Sequence, residues 1–325
     1  MQPPISSINE SITEFLNASA SHDSFSLLAA KSQALSLFIN YVSANHHITP
    51  TTQISLLTSD NILGFVHFLQ TNRSVETEHL YSRIVLAFFH HAFSHLTADH
   101  ETGLEHVSAI VAKLRRKKAH TAPRIPHKAL RKVLNLAITY PSPPKPSHYD
   151  RQYLQRLRDK ALILFMSTTG MRSSEICNLR KQQLRDNRLQ LMPNVHITLP
   201  RECFDPLARY LHERNPLDQQ QTHSTLASLP VFARHDKRAG QHVLPLSRWT
   251  IANVVNTWVR LALTPYEYQH LQHAKLQITP QTLRHYFVLS TLAQTEDIAT
   301  TMNLARHKDP ATTRNYLAIL PDYKP

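Results

Sequence analysis

Glycine is scarce in this sequence, and its scarcity argues against one class of function. The 325 residues include four glycines, Gly64, Gly103, Gly170 and Gly240, which is about a fifth of the number that an average usage of roughly 7% gives. The four stand far apart, so they cannot form the glycine-rich loop with which P-loop and dinucleotide-binding proteins cradle phosphates. The sequence therefore indicates a function that does not depend on ATP hydrolysis.

Cysteine and long apolar runs are also rare. The two cysteines, Cys177 and Cys203, are too few for a disulfide framework and lack a metal-binding spacing, as is usual in a reducing cytosol. The longest apolar run, Ala161 to Met166, is far shorter than the ~20 residues that span a bilayer. The N-terminal residues are polar and lack the basic-then-apolar pattern of a secretion signal. We expect a cytoplasmic protein with no membrane segment.

Positive charge, in contrast, is abundant. The chain has 36 Lys and Arg residues against 23 Asp and Glu residues, a formal net charge of +13. An excess of this size favours a polyanionic partner, and nucleic acid is the first candidate. A solvated basic surface gives the same count, so the charge favours DNA binding without deciding it.

Apolar spacing and turn residues divide the chain into four segments. Residues 1–24 are rich in Ser and Asn and weakly patterned, which predicts an N-terminal arm. Residues 25–115 carry apolar side chains at helical spacing, which predicts a small all-helical domain. Residues 116–126 combine basic residues with two prolines and predict a linker. Residues 127–325 then form a second domain.

The second domain is predicted to be mostly helical with a small antiparallel sheet, which makes the whole chain mostly α with an α+β second domain. A long helix is expected over Tyr153–Thr169, with Gly170 at its C-cap. Thr279-Pro280 and Asp309-Pro310 each combine an N-cap residue with a proline at the first helical position. Three short segments alternate like strands: Gln182–Leu184, Arg188–Leu191 and Ile197–Leu199.

A basic run crosses the boundary between the first domain and the linker. It contains Arg115, Arg116, Lys117 and Lys118. Such a run is often a solvated helix end. In a chain with this net charge, we favour the interpretation that these four residues contact DNA phosphates.

One segment in the second domain carries the first recognisable motif. It reads Thr168-Thr-Gly-Met-Arg172-Ser-Ser-Glu175-Ile-Cys-Asn-Leu179. An isolated arginine here would more often form a surface ion pair. The segment resembles the first arginine box of the tyrosine recombinases, the phage integrase family, in which Thr-Gly-x-Arg precedes a Ser-Glu pair and a Leu.

Two C-terminal motifs strengthen this resemblance. Thr282-Leu283-Arg284-His285 resembles the family's second box, His-x-Leu-Arg-His, and Leu304-Ala305-Arg306-His307 resembles its Leu-Gly-His box. Tyr316 follows His307 by nine residues, the spacing that the family has before its nucleophile. The three motifs stand in the family's order over roughly residues 126–320. The N-terminal helical region is more weakly similar to the core-binding domain that completes a clamp around DNA.

The resemblance implies a role for each of these residues. Tyr316 would attack a phosphodiester, leaving a 3′-phosphotyrosyl link and a free 5′-hydroxyl. Arg172 and Arg284 would stabilise the negative charge that gathers on the non-bridging oxygens in the transition state, because a guanidinium is permanently charged and binds two oxygens at once. His307 would donate a hydrogen bond to the phosphate or help to deprotonate Tyr316, since an unperturbed tyrosine pKa near 10 makes a poor nucleophile. The resemblance implies neither a metal nor another cofactor.

Supporting and competing residues complete this assignment. Glu175 lies one helical turn from Arg172 and can hold its guanidinium. His285 is expected to be structural and not a proton carrier. Tyr323 is out of spacing for the nucleophile, and Tyr286 is expected to pack inward.

Two departures from the family pattern matter for the chemistry. Gln281 stands where the second box usually opens with histidine; glutamine can donate to phosphate but cannot exchange a proton. The family also places in a hairpin a lysine that protonates the 5′-oxygen leaving group, and none occurs between Arg188 and Pro200. His196 in the predicted turn is the candidate to replace it, although a solvent-facing turn histidine is the simpler interpretation.

Three functions remain open at this stage. The first is a site-specific recombinase that binds inverted DNA sites as dimers, pairs them in a tetramer, and serves integration, excision or transposition of a mobile element. The second is a type IB topoisomerase, which uses the same nucleophile as a monomer without paired sites. The third is a DNA-binding protein that has lost cleavage, which Gln281 and the missing hairpin lysine favour.

The missing lysine leads to a first testable prediction. A substrate with sulfur in place of the bridging 5′-oxygen has a leaving group that departs without protonation. If His196 is the acid, His196→Ala should cleave ordinary DNA slowly and the sulfur substrate at nearly the wild-type rate in single-turnover assays. Equal losses on both substrates would indicate a structural role, and no loss on either would direct attention to Lys181 and Lys237.

Overall fold

The protein divides into two compact units, residues 1–119 and residues 120–325. The computed structural model describes residues 7–93, 98–116, 123–148, 150–221 and 224–321, and of residues 98–103 it describes the backbone alone. Each unit has its own apolar core.

The described part of the first unit consists of five α-helices around one core. They are α1 (Ile8–Ala20), α2 (Phe25–His46), α3 (Ser59–Asn72), α4 (Val75–Phe93) and α5 (Ala98–Leu114). Aromatic rings fill the centre: Phe38 meets Phe65 and Phe89 edge-to-face, with ring centroids 5.2 and 5.7 Å apart. Edge-to-face contacts add to the gain from burying these large side chains.

The helix α1 lies where the sequence predicted an arm. Ser7 and Glu10 form a reciprocal capping box at its start, which satisfies two backbone donors. Ile8 and Phe15 are buried in the core of the first unit. The structure therefore has a helix within residues 1–24, where the sequence predicted an arm. The sequence pattern did not reveal this helix because its apolar stripe is short and polar residues dominate its composition.

The second unit carries the remaining described elements. Its α-helices are α6 (His127–Thr139), α7 (Arg151–Thr169), α8 (Ser173–Asn178), α9 (Arg201–Gln219), α10 (Arg248–Ala262), α11 (Pro265–His273), α12 (Pro280–Thr295), α13 (Ile298–Ala305) and α14 (Pro310–Arg314). Its strands are β1 (Leu184–Arg185), β2 (Arg188–Met192) and β3 (Val195–Thr198). They form one antiparallel sheet in the order β1-β2-β3. The predicted fold class, mostly helical with a small antiparallel sheet, is confirmed.

The helix α7 runs through the centre of the second unit. Ala161 to Met166 are buried without interruption, as expected of a helix that is covered on all sides. The helices α9 and α12 pack against it. No helix in the described segments combines the length and the apolar character that crossing a bilayer requires.

Gly170 ends α7 in the left-handed conformation, at φ 57°. A Cβ atom there would lie 2.2 Å from Cδ1 of Phe287 on α12, so α12 approaches this point closely. Gly240 has nearly the same φ, 58°, but a Cβ added to it would meet nothing within 4 Å. A residue with a Cβ would therefore meet backbone strain alone at position 240, but both backbone strain and a steric clash at position 170.

This pair provides a second prediction. Gly240→Ala should lower the free energy of unfolding by about 1–2 kcal/mol, the cost of a left-handed backbone for a residue with a Cβ. Gly170→Ala should lose roughly a further 1–3 kcal/mol, because Phe287 must move. Urea unfolding of both variants measures the difference, and equal losses would contradict the close approach of α12.

Candidate active site

The first predicted arginine lies directly after the end of α7. Arg172 is the N-cap residue of α8, and its backbone N–H donates to Oε2 of Glu175 at 2.6 Å. Its Nη1 donates to Oε1 of the same carboxylate at 3.0 Å, and 43% of the Arg172 side chain is exposed. The carboxylate therefore orients a guanidinium that still faces solvent.

The second predicted arginine is buried. Arg284 on α12 is 2% exposed, and its Nη1 donates to the carbonyl oxygen of Gly170 at 2.5 Å. Its Nη2 donates to the carbonyl oxygen of Ala305. Burial, followed by the nearby Arg172 and Arg306, lowers the pKa of Arg284 to about 10, so the guanidinium is still charged at neutral pH.

Tyr316 lies just after α14. Its side chain is buried, and its hydroxyl forms a 2.5 Å hydrogen bond with Nδ1 of His285. Burial raises the pKa of Tyr316 to about 12, although Arg284 and Arg172 act in the opposite direction. Such a phenol is a weak nucleophile unless a neighbouring group takes its proton.

Two histidines flank the Tyr316 ring. The His307 ring stacks on it with centroids 6.2 Å apart, and its Nδ1 bonds to Oγ1 of Thr313 at 2.8 Å. Burial and then neighbouring arginines lower the pKa of His307 to about 4, and burial and then Arg284 lower that of His285 to about 4. Both rings are therefore neutral at pH 7, and a neutral ring can accept a proton.

The histidine that bonds to the Tyr316 hydroxyl could not be predicted from the sequence. The sequence leaves two roles open for His307, a hydrogen bond to the phosphate or help in deprotonating Tyr316, and predicts a structural role for His285. The structure instead places His285 in hydrogen-bond contact with the Tyr316 hydroxyl. The contact joins residues 31 positions apart, and no local pattern reveals it.

A comparison with models of known protein families gives a match to the C-terminal part of the chain. The model of the phage integrase family matches residues 147–322, which include Arg172, Glu175, Arg284, His307 and Tyr316. The chain belongs to the phage integrase family.

Curated relatives are tyrosine recombinases. Tyrosine recombinase XerA of Thermococcus kodakarensis is 24% identical over 171 residues, which cover 50% of this chain and 52% of that protein. Tyrosine recombinase XerC of Bacillus pumilus is 27% identical over 165 residues, which cover 51% of this chain and 50% of that protein. The match thus spans about half the length of these relatives.

Two solved structures have a similar fold. The XerH site-specific recombinase bound to a palindromic difH substrate superposes with a TM-score of 0.62 at 16% identity, covering 97% of this chain and 82% of that chain. The Tn1549 transposon integrase in complex with transposon right end DNA gives a TM-score of 0.59 at 13% identity, covering 95% and 94%. Identities this low establish a common fold alone.

The family's second box opens here with Gln281, which lies in the first turn of α12. Its side chain is exposed. Gln281 precedes Arg284 by three positions, so the two side chains share a helix face. The Gln281 side chain faces solvent, whereas the Arg284 side chain is buried.

The structure does not place His196 in the turn that the sequence predicted. Strand β2 ends at Met192 and β3 begins at Val195, so the turn consists of Pro193 and Asn194. His196 lies within β3, paired with Gln190 and exposed. The sequence placed the hairpin and the start of β2 at Arg188 correctly, but β3 begins at Val195, two residues before the predicted Ile197.

Two lysines outside the hairpin had been kept as alternative acids. Lys181 binds the buried carboxylate of Asp218 at 2.5 Å, so its ammonium group is held within the second unit. Lys237 is exposed.

The basic run is described only in part. The Nε of Arg116 pairs with Oε2 of the fully buried Glu78 at 2.5 Å, and its Nη2 donates to the carbonyl oxygen of Arg73 at 2.7 Å. Arg115 is half-buried. Lys117 and Lys118 lie outside the described residues. Arg116 therefore has structural partners in the first unit.

One site residue was missed by the sequence analysis. Arg306 pairs through Nη2 with Oε2 of Glu175 at 3.1 Å, which brings a third guanidinium to the site. The available signal was its position: the family's Leu-Gly-His box has glycine directly before the histidine, and this chain has arginine there. Across the described residues, no group of three or more His, Cys, Asp or Glu side chains is arranged to hold a metal ion.

The different burial of the two predicted arginines leads to a third prediction. Arg172→Ala and Arg284→Ala should each slow single-turnover cleavage by about 3–4 kcal/mol of activation free energy, the loss typical of one preorganised donor. Arg284→Ala should also lower the melting temperature, because it leaves two buried carbonyl oxygens unpaired, whereas Arg172→Ala should not. Arg172→Lys should restore little activity, since an ammonium group cannot bind two oxygens side by side. Normal cleavage by either alanine variant would contradict the role of that arginine.

Proposed function

We propose that this protein is a site-specific DNA recombinase that cleaves and rejoins DNA through a 3′-phosphotyrosyl intermediate on Tyr316. The observation that supports this most directly is the hydrogen bond between the Tyr316 hydroxyl and the neutral His285. A buried phenol paired with a neutral imidazole has a proton acceptor already in place. Membership of the phage integrase family supports the same chemistry.

The cleavage step follows from this arrangement. The Tyr316 oxygen attacks phosphorus while its proton passes to Nδ1 of His285, and the bond from phosphorus to the 5′-oxygen breaks. Arg172 and Arg284 stabilise the charge on the non-bridging oxygens, because they are held in position before the substrate binds. Rejoining is the reverse, with the 5′-hydroxyl attacking the phosphotyrosine.

Two further donors complete the proposed phosphate site. Thr313 can donate its hydroxyl proton to Nδ1 of His307, which leaves an Nε2–H on that ring free to donate to the phosphate. Gln281 can add an amide donor from the first turn of α12. We retain His196 as the candidate acid for the leaving 5′-oxygen, since it lies in the hairpin strand β3.

The wider function is also proposed by analogy with proteins of the same fold. Those proteins include a recombinase bound to its difH substrate and a transposon integrase bound to transposon DNA. We infer that this chain binds inverted sites in double-stranded DNA, assembles from dimers into a tetramer there, and moves a mobile element within the cytoplasm. Residues 25–115 would form the core-binding half of a DNA clamp, and the linker of residues 116–126 would contact phosphates through the basic run. The charge of +13 supports such a clamp.

A nicked suicide substrate tests the proposed function and supplies a fourth prediction. Cleavage next to the nick releases a short fragment, so the covalent protein–DNA adduct accumulates and is visible on a denaturing gel. Tyr316→Phe should abolish the adduct while changing DNA affinity little, because it removes only the attacking hydroxyl. Tyr286→Phe and Tyr323→Phe serve as matched controls and should still form it.

The outcomes separate the possible functions. An adduct that persists in Tyr316→Phe and disappears in Tyr323→Phe would show that the nucleophile is misassigned. Tight DNA binding by the wild-type protein without any adduct would indicate a DNA-binding protein that has lost cleavage. Relaxation of supercoiled plasmid by a monomer, without a requirement for paired sites, would indicate a topoisomerase.

A further inference from the structure

Arg306 occupies a backbone position that usually belongs to glycine. It follows α13 with φ 57° and ψ 46°, in the left-handed region that residues with a Cβ adopt only at a cost. The next residue, His307, donates its backbone N–H to the carbonyl oxygen of Met302 at 3.0 Å, as in a helix C-terminus closed by glycine. An arginine that tolerates this conformation must gain from its side chain.

The Arg306 side chain is fully engaged within the protein. It is 7% exposed. Its Nη1 donates to the carbonyl oxygens of Leu304 at 2.6 Å and Thr169 at 3.4 Å, and its Nη2 donates to Thr169 at 3.4 Å and to Glu175 at 3.1 Å. Its Nε donates to Glu175 at 3.3 Å. A guanidinium has five N–H donors, and all five have partners, so none is left for a phosphate.

These contacts join two helix ends to one carboxylate. Thr169 lies in the last turn of α7 and Leu304 in the last turn of α13, where carbonyl oxygens lack helical partners and attract cations. Glu175 accepts Arg306 on both of its oxygens while the same two oxygens accept Arg172. Arg306 therefore restrains the carboxylate that orients Arg172.

The exposure of the Arg172 side chain contrasts with the burial of Arg306, and this difference indicates the role of Arg306. Arg172 keeps 43% of its side chain exposed, and besides Glu175 its guanidinium makes a 3.5 Å contact with the carbonyl oxygen of Arg306. We infer that Arg306 is a positioning residue for DNA cleavage: it holds Glu175 and the carbonyl group that together aim Arg172 at the scissile phosphate. This inference rests on the proposed function and adds a residue that stands where the family's box has glycine.

The experiment compares three substitutions at this position. Arg306→Gly suits the backbone and removes the side chain, so it should fold and bind DNA with a dissociation constant within about threefold of the wild-type value. Its single-turnover cleavage should fall by roughly 10²-fold, the loss that a small misplacement of a reacting group causes. Arg306→Gln should behave similarly, and Arg306→Lys should recover part of the rate because it retains one charged contact with Glu175. If Arg306→Gly does not fold, the glutamine and lysine variants carry the comparison.

A matched control isolates the backbone effect. Glu296 ends α12 in the same left-handed conformation, at φ 52°, and is exposed. Glu296→Gly should leave the cleavage rate unchanged. A loss in Glu296→Gly equal to that in Arg306→Gly would overturn the inference, because it would reflect the glycine and not the lost contacts.

A double-mutant cycle then tests whether Arg306 acts through Arg172. In an Arg172→Ala background, Arg306→Gly should cost little more, since the group that it positions is already absent. A scissile methylphosphonate, which lacks one phosphate charge, should shrink the effect of Arg306→Gly, whereas a merely structural defect would slow both substrates equally. Full additivity with Arg172→Ala, equal slowing on both substrates, or wild-type cleavage by Arg306→Gly would each overturn the inference. Absence of a covalent adduct in the wild-type protein would instead contradict the proposed function itself.

Discussion

The buried guanidinium of Arg284 lies between the C-terminal ends of α7 and α13, and the shape of the candidate site depends on it. It donates to the carbonyl oxygens of Gly170 and Ala305, which have no partner within their own helices. Removing one member of such a buried set leaves the others without partners, which costs more than the bond itself contributes. Arg172 lies two residues after Gly170, and His307 lies two residues after Ala305. The Arg284 side chain therefore holds the segments that carry both residues.

Charge balance at the site favours an anionic ligand. Among the described residues, Glu175 is the carboxylate that pairs with Arg172 and Arg306, and Arg284 adds a third guanidinium nearby. Although burial alone would raise the pKa of Glu175, its bonds from Arg306 and Arg172 hold that pKa below the usual value. Three cations against one anion leave a net positive charge in a partly buried cluster, where charge–charge interactions are stronger than in water. A phosphodiester, the substrate of the proposed function, would supply negative charge to this cluster.

The shortage of glycine has a structural counterpart. Gly170 and Gly240 occupy left-handed positions, but several other positions of that conformation, described in the structure, hold residues with side chains: His47, Asp186, Lys275, Glu296 and Arg306. At Gly170 the near contact with Phe287 leaves no space for a Cβ. At Arg306 there is space for a side chain, and its contacts with Glu175 offset the backbone strain. The left-handed conformation thus requires a residue without a side chain at Gly170, whereas at Arg306 the side chain contributes contacts.

Much of the fold and the family could be predicted from the sequence, because those features depend on local rules. Thr279-Pro280 and Asp309-Pro310 do begin helices α12 and α14, and Gly170 does end α7. The fold class and the family followed from short motifs in the right order. The hairpin and the start of β2 at Arg188 were located, but the start of β3 was not, since a strand end depends on its partner as well as on its own residues.

Tertiary structure alone decided which side chains remote in sequence meet. The hydrogen bond of Tyr316 to His285 joins residues 31 positions apart, and that of Arg306 to Glu175 joins residues 131 apart. The burial that lowers the pKa of both histidines and raises that of Tyr316 likewise depends on packing between segments remote in sequence. Residue types and their spacing therefore determined which groups this protein has for its chemistry. Only the packing of α7, α12, α13 and α14 determined which groups from distant segments touch, because burial and long-range contact belong to the folded chain and not to any one segment.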